Sequence, residues 1–186
     1  MLDHIRTTPD RWSTGLKLFF EAQGDISKFF GLTLVRDYLS SSSSSSASST
    51  STSSSKGTAV GSDEGSNEPQ APIRKAIRDA VMGWSGVVSS GSSSTIPPFL
   101  LNNVVSILTL CIKLDYPEHW PTAFEDVLTL ATRGYAGLDL VVRLLVEMGV
   151  EIVEFNVYRS PREIAHNVVI KDAMRQVGLK SSGRGV

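Results

Sequence analysis

The chain is poor in the features that announce chemistry. Of its 186 residues only Cys111 is a cysteine. A lone cysteine cannot form a disulfide within the chain, argues against a Cys-based zinc site and suits a reducing, intracellular compartment. The three histidines, His4, His119 and His166, are scattered without ligand spacing. Neither sign of charge dominates, the formal net charge being −1, so nothing in the balance points to a nucleic-acid or membrane partner. There is no phosphate-binding glycine loop, since Gly57 follows Lys56 rather than preceding it. No serine has glycines placed as in G-x-S-x-G, and the neighbouring acids Glu125 and Asp126 have no matched partner. These absences leave no reason to expect an enzyme or a cofactor. The opening residues, MLDHIRTTPDRW, lack the basic start and apolar run of a secretory leader. Strand patterning is lacking too. The apolar run 150–157 has no second strand to pair with, so it reads as a helix extension or a linker.

What is present is helical periodicity interrupted by serine. Residues 40–66 are low in complexity, a serine run followed by SKGTAVGSDEGS. Such a segment buries too little apolar surface to offset ordering entropy. A disordered insertion is expected over 40–71, most simply a neutral one, with phosphorylation as the functional alternative. A shorter flexible connector is expected over 89–95.

Between these breaks the spacing predicts helices. Residues 9–22 carry Trp12, Leu16, Phe19 and Phe20 on one face behind Thr8 and Pro9. Residues 27–39 carry Phe30, Leu34, Val35 and Tyr38, with Gly31 as a weak point. Residues 72–88 turn Ile73, Ile77, Ala80, Val81 and Trp84 inward and Arg74, Lys75 and Arg78 outward. Residues 98–114 are apolar nearly all round, so this helix belongs in the middle of a stack or in a membrane, and its prolines and asparagines favour the stack. Residues 121–132 point Phe124, Val127, Leu128 and Ala131 inward. Residues 137–148 bear one charged stripe, Asp139, Arg143 and Glu147, with two potential i,i+4 ion pairs and Gly149 as a stop. Ser160-Pro161-Arg162-Glu163 forms a capping box for a helix to about residue 177, with Ile164, Val168, Val169, Ala173, Met174 and Val177 inward. Trp12, Trp84 and Trp120 read as core anchors.

The first helices of successive pairs start near 9, 72, 121 and 161. The later intervals are 49 and 40 residues, and the first, 63, falls to 36 once the 27 residues of 40–66 are set aside. Helix pairs recurring at about 40–47 residues are of the HEAT or armadillo class. The expected fold is therefore all-α, a HEAT-like α-solenoid of antiparallel helix pairs. It would consist of a first pair at 1–39, the insertion at 40–71, two pairs plus the first helix of a fourth at 72–177, and a flexible tail at 178–186. The last helix has an apolar face with no following partner, so the chain reads as an N-terminal fragment of a longer solenoid or a truncated gene product.

The stretch YPEHWPTAFEDVLTL (116–130) carries a family resemblance. Tyr116, Pro117, Glu118, Trp120, Pro121, Phe124 and Asp126-Val127-Leu128 resemble the third-repeat motif of the exportins, in the importin-β superfamily. The preceding helix is also similar, although Asn102-Asn103 stands where that family commonly has Asn-Lys. Residues 137–176 resemble the start of the fourth repeat of the tRNA-exporting group, exportin-T. Glu151-Ile152-Val153, Arg159-Ser160, Glu163, Asn167 and Ile170 to Arg175 carry that likeness. Residues 9–22 and 26–39 look like its first repeat.

The resemblance implies a superhelix that binds tRNA cooperatively with RanGTP, contacts nuclear pore proteins, inserts in no membrane and shuttles between nucleus and cytoplasm. It also implies that the first repeats form part of the Ran surface and that RNA is held by shape and backbone charge. In such solenoids the second helix of each pair lines the concave face. That nominates Arg36, Asp37, Lys113, Asp139, Arg143 and Glu147 as facing Ran or tRNA, with Lys171 and Arg175 as further candidates. The plain alternative for all eight is solvated helix surface with local ion pairs. Arg74, Lys75 and Arg78 are expected on the convex side. The alternatives for the whole chain are an exportin for protein or another RNA, or a HEAT scaffold without Ran binding.

Overall fold

The structure, a computed structural model, describes residues 8–45, 70–90, 96–153 and 159–182. Every described regular element is a helix: α1 Arg11–Glu21, α2 Asp25–Ser45, α3 Ala71–Ser89, α4 Pro98–Asp115, α5 Ala123–Ala131, α6 Tyr135–Met148, a π-helical turn Gly149–Val153, and α7 Pro161–Ser182. The helices form antiparallel pairs, α1/α2, α3/α4 and α5/α6, with α7 opening a fourth. Second helices pack side by side, α2 on α4 and α4 on α6, while α1, α3, α5 and α7 form the other layer. This is the expected all-α, HEAT-like solenoid.

The first pair crosses at two glycines. A Cβ on Gly15 would stand 2.6 Å from the Gly31 carbonyl oxygen, and one on Gly31 would stand 2.5 Å from the Gly15 oxygen. Gly31, read from sequence as a helix weakness, is instead the contact that lets α1 and α2 touch backbone to backbone. α2 also runs further than expected. Ser40 to Ser45 continue the helix, where Ser41 Oγ donates to the Asp37 carbonyl at 2.7 Å and Arg11 Nη2 donates to Ser41 Oγ at 2.8 Å. The remainder of the expected insertion, 46–69, and the connector 91–95 lie outside the described residues. Phe19 meets Trp84 edge-on, with ring centroids 5.1 Å apart, joining α1 to α3. Phe20, expected on the same inward face, is half exposed.

α4 lies where its composition predicts. It is long and apolar enough to cross a membrane by those criteria alone, yet it packs against α2, α3 and α6, burying Leu100, Val104, Ile107, Leu108, Cys111 and Ile112. All-round apolarity is satisfied here by helices on several sides.

The largest departure concerns α3. Arg74 and Arg78, expected outside, are 4% and 7% exposed. The buried stripe of α3 runs through Arg74, Ile77, Arg78, Val81, Ser85 and Ser89, about one residue round from the expected face, and leaves Ile73, Ala80 and Trp84 half-buried. The cause is Asp115, 1% exposed at the end of α4. Arg74 Nε reaches Asp115 Oδ1 at 2.6 Å, and Arg78 Nη1 lies 3.8 Å from Oδ2. Arg78 also donates to the His119 carbonyl at 3.2 Å, and its guanidinium lies 4.9 Å from the Trp120 ring centre. The Asp115 carbonyl in turn accepts the backbone N–H groups of His119 and Trp120 at 2.8 and 2.9 Å. The turn that follows, with its cis Tyr116-Pro117 bond, is thus tied to α3. Such a pair is invisible to periodicity, because its members are 41 positions apart.

Two further expectations are corrected at the C-terminal end. α6 ends at Gly149 as expected, but that glycine adopts helical angles rather than a left-handed cap and leads into the π-helical turn. Residues 154–158 lie outside the described residues. On α7, Ser160 Oγ accepts the Glu163 N–H at 3.2 Å, as the capping box predicts. Its inward residues are Asn167 and Ile170, with Ala173 and Met174 packed against the core, whereas Ile164, Val168 and Val169 are exposed. The side chain of Val177 lies outside the described residues. α7 docks through Ile170 and a polar hinge, Lys113 Nζ to Glu163 Oε1 at 2.8 Å and the Lys113 carbonyl to His166 Nε2 at 2.8 Å.

Three measurements test this packing. Arg74→Ala removes one partner of a buried ion pair, and is expected to cost about 3–5 kcal/mol in urea unfolding. A loss below about 1 kcal/mol, the range of surface pairs, would show the pair to be solvated. Gly31→Ala should lower the urea midpoint by an overpacking loss of about 1–3 kcal/mol, despite the better helix propensity of alanine. Gly24→Ala, whose Cβ meets nothing within 4 Å, serves as the control. Burial, assisted by the Asp115 charge, pushes the Cys111 thiol from its usual 9.0 up to about 12. The folded chain should therefore resist iodoacetamide at pH 8 and react only in urea. Cys111 should also weaken the fold as pH climbs from 9.0 towards about 12, because the unfolded chain releases this proton first.

Candidate functional site

The second-helix layer carries a groove of about 540 Å³ between α2, α4 and α6. Its ends are apolar. Phe29 and Phe99 meet edge-on at 5.6 Å, and Val142 and Val146 line the α6 side. Its middle is polar and organised by the two adjacent amides of α4. Asn103 Oδ1 accepts from Arg36 Nη1 at 3.3 Å, and Asn102 Oδ1 accepts from Arg143 Nη1 at 2.9 Å. Arg143 Nε also donates to Asp139 Oδ2 at 2.9 Å, one helical turn away. Asn103 is 4% exposed and its Nδ2 has no protein acceptor.

This geometry follows from local sequence. Asn102 and Asn103 sit in the first turns of the largely apolar α4 and point to opposite neighbours because successive helical residues are rotated by about 100°. One amide therefore faces α6 and the other α2. Each holds an arginine whose long stem lies along the apolar wall while its head stays near water. The groove thus presents two positioned guanidinium groups, an aromatic pair, and the carboxylates of Asp139 and Glu147. It can receive mixed polar and apolar protein surface, and it holds no arrangement suited to bond chemistry. Among the described residues no group of three or more His, Cys, Asp or Glu is placed to hold a metal ion.

The sequence-nominated residues divide. Arg36, Arg143 and Glu147 line the groove, and Asp139 sits beside Arg143. Only one of the two expected ion pairs forms on α6. Arg143 turns to Asp139 and Asn102, and no ion pair joins it to Glu147. Asp37 is half-buried towards α1, and its carbonyl accepts from Ser41. Lys113 lies away from the groove, engaged by Glu163 of α7. Lys171 and Arg175 are on α7, also outside the groove. Lys171 is half-buried, and Arg175 pairs with Asp172 at 2.9 Å. Sequence reasoning missed Asn102 and Asn103 as positioning residues. The signal was there, two adjacent amides in an otherwise apolar helix, but their arginine partners are 67 and 41 positions away.

Comparison with known proteins agrees with this architecture. The family model described as Exportin 1-like protein matches residues 97–180, which begin just before α4 and reach into α7. Exportin-T of Dictyostelium discoideum is 33% identical over 105 residues, covering 55% of this chain and 9% of that protein. Exportin-T of Danio rerio is 31% identical over 108 residues, covering 57% and 11%. Exportin-T of Arabidopsis thaliana is 28% identical over 114 residues, covering 60% and 11%. The match spans about a tenth of the length of these curated relatives. With its helix pairs stacked in two layers, the chain is similar to the Exportin 1-like family model over residues 97–180 and to Exportin-T over more than half of its length.

Proposed function

We propose that the chain is part of a nuclear export receptor for tRNA. It would bind tRNA together with RanGTP in the nucleus, pass through the nuclear pore in contact with pore proteins, and release its cargo in the cytoplasm when Ran hydrolyses GTP. The observation that carries this reading is the likeness to Exportin-T in distant organisms. The mechanism is binding and release. If each ligand stabilises the same curvature of the solenoid, their affinities are linked reciprocally, by about 1–3 kcal/mol in typical cases.

The charge pattern of the groove supports a protein partner on this face. Arg36 and Arg143 are opposed by Asp139 and Glu147, whereas a surface that takes RNA phosphates relies on uncompensated positive charge. The groove is therefore read as a Ran contact. Asp37, on α2 but turned towards α1, is read as lying outside that contact. Lys171 and Arg175 on α7 are read as a second contact for Ran or tRNA, and Lys113 as the residue that sets the angle of α7.

The test uses the full-length protein. tRNA should be retained on it with RanGTP and lost with RanGDP. Arg36→Glu with Arg143→Glu should weaken RanGTP-dependent capture about tenfold or more, the equivalent of 1.4 kcal/mol. Retention of tRNA in the absence of Ran would sink the cooperative mechanism. RanGTP-dependent capture of protein without tRNA would move the assignment to an exportin for another cargo. No RanGTP binding at all would leave a HEAT scaffold.

A further inference from the structure

The opposite layer holds a larger cavity, about 810 Å³, between α3, the turn after α4 and α5. We propose that this pocket is a docking site for a peptide segment of a partner protein that presents a single carboxylate beside an aliphatic side chain. A carboxylate would be held by Arg133, and its neighbouring aliphatic side chain would lie against Met82, Val87 and Leu130. The size falls within the range of about 300–1,000 Å³ that enclosed ligands occupy.

Two glycines of α3 make the space. A Cβ on Gly83 would meet nothing within 4 Å. A Cβ on Gly86 would stand 2.6 Å from Arg133 Nη1, so the guanidinium lies in the slot that the missing side chain leaves. The other charged groups on the wall already have partners. Asp79 is held by Lys75 at 2.6 Å, and Asp126 accepts from Trp120 Nε1 at 2.7 Å and Thr122 Oγ1 at 2.8 Å. Arg78 is engaged by Asp115, the His119 carbonyl and the Trp120 ring. Arg133 alone among the charged lining residues has no acceptor among the described residues, so its donors remain available for a ligand.

A guanidinium binds a carboxylate through two parallel hydrogen bonds, a geometry that a lysine cannot supply. One unmatched cation calls for one carboxylate. The flanking acids Asp79 and Asp126 would repel a phosphate chain, which argues for a peptide over nucleic acid. The apolar residues beside Arg133 give the ligand's aliphatic part a place to lose water.

The experiment is fluorescence anisotropy on the full-length protein, with two labelled Leu- and Gln-rich peptides that differ at one central position, Glu in the first and Gln in the second. The Glu peptide should bind at least tenfold more tightly. Arg133→Gln should abolish that preference, and Gly83→Leu should block binding of the Glu peptide by filling the pocket. Both variants should leave RanGTP-dependent tRNA capture unchanged, because the pocket lies on the layer away from the groove, so the two proposals fail independently. Equal binding of the two peptides, wild-type preference in Arg133→Gln, or no binding of either peptide at about 1 mM would overturn the assignment.

Discussion

The buried carboxylate of Asp115 is the constraint around which the second and third helix pairs are arranged. Arg74 binds it at 2.6 Å inside the core. A carboxylate removed from water in this way needs a charged partner and further hydrogen bonds, or burial would neutralise it. Arg74 supplies the first. Arg78 adds a second positive charge 3.8 Å from Oδ2 without a hydrogen bond to it, and donates instead to the His119 carbonyl while covering Trp120. The rotation of α3 about its axis, the path of the turn at 116–122 and the start of α5 all follow from this one grouping. The face that α3 presents to α5, with Gly83 and Gly86, is a consequence of that rotation.

A division of labour follows between the layers. On the second-helix layer, α4 supplies the middle of the stack and its two amides distribute arginines to α2 and α6. Between the two layers, charge is buried at Asp115 and glycines set how closely the helices of a pair approach. Gly15 and Gly31 do this between α1 and α2. Gly137 does it between α5 and α6, where an added Cβ would lie within bonding range of the Leu130 carbonyl. Backbone contact of this kind leaves little freedom in crossing angle, because packed interiors do not deform continuously. A change in the curvature of such a solenoid would then arise chiefly at the joints between pairs. The polar hinge of Lys113, Glu163 and His166 at the root of α7 is one such joint.

Much of the architecture was legible. The 3.6-residue spacing marked all seven helices, and the prolines at 72, 98 and 161 fall within one residue of helix starts. The all-round apolar helix was correctly placed in the interior. The failures share one cause. Arg74 and Arg78 were assigned to the surface because charge is normally solvated, and the partner that reverses this is remote in sequence. Gly31 was judged by intrinsic propensity, although its value lies in what crosses it. Ile164, Val168 and Val169 were assigned inward by pattern, yet α7 docks through Asn167 and Ile170. For the groove, Arg36, Arg143 and Glu147 could be nominated from their place on second helices. The asparagines that position the arginines stood out in a largely apolar helix, but their remote partners were not visible.

By itself the sequence determined the helices, their pairing and the kind of solenoid they build, because those properties depend on local periodicity and on the repeat length. It also held the motifs that resemble the exportins. Only the tertiary structure decided which face of each helix is buried and which charges meet. Helix rotation is set by contacts between residues tens of positions apart, and a buried ion pair can outweigh the hydrophobic pattern of the helix that carries it.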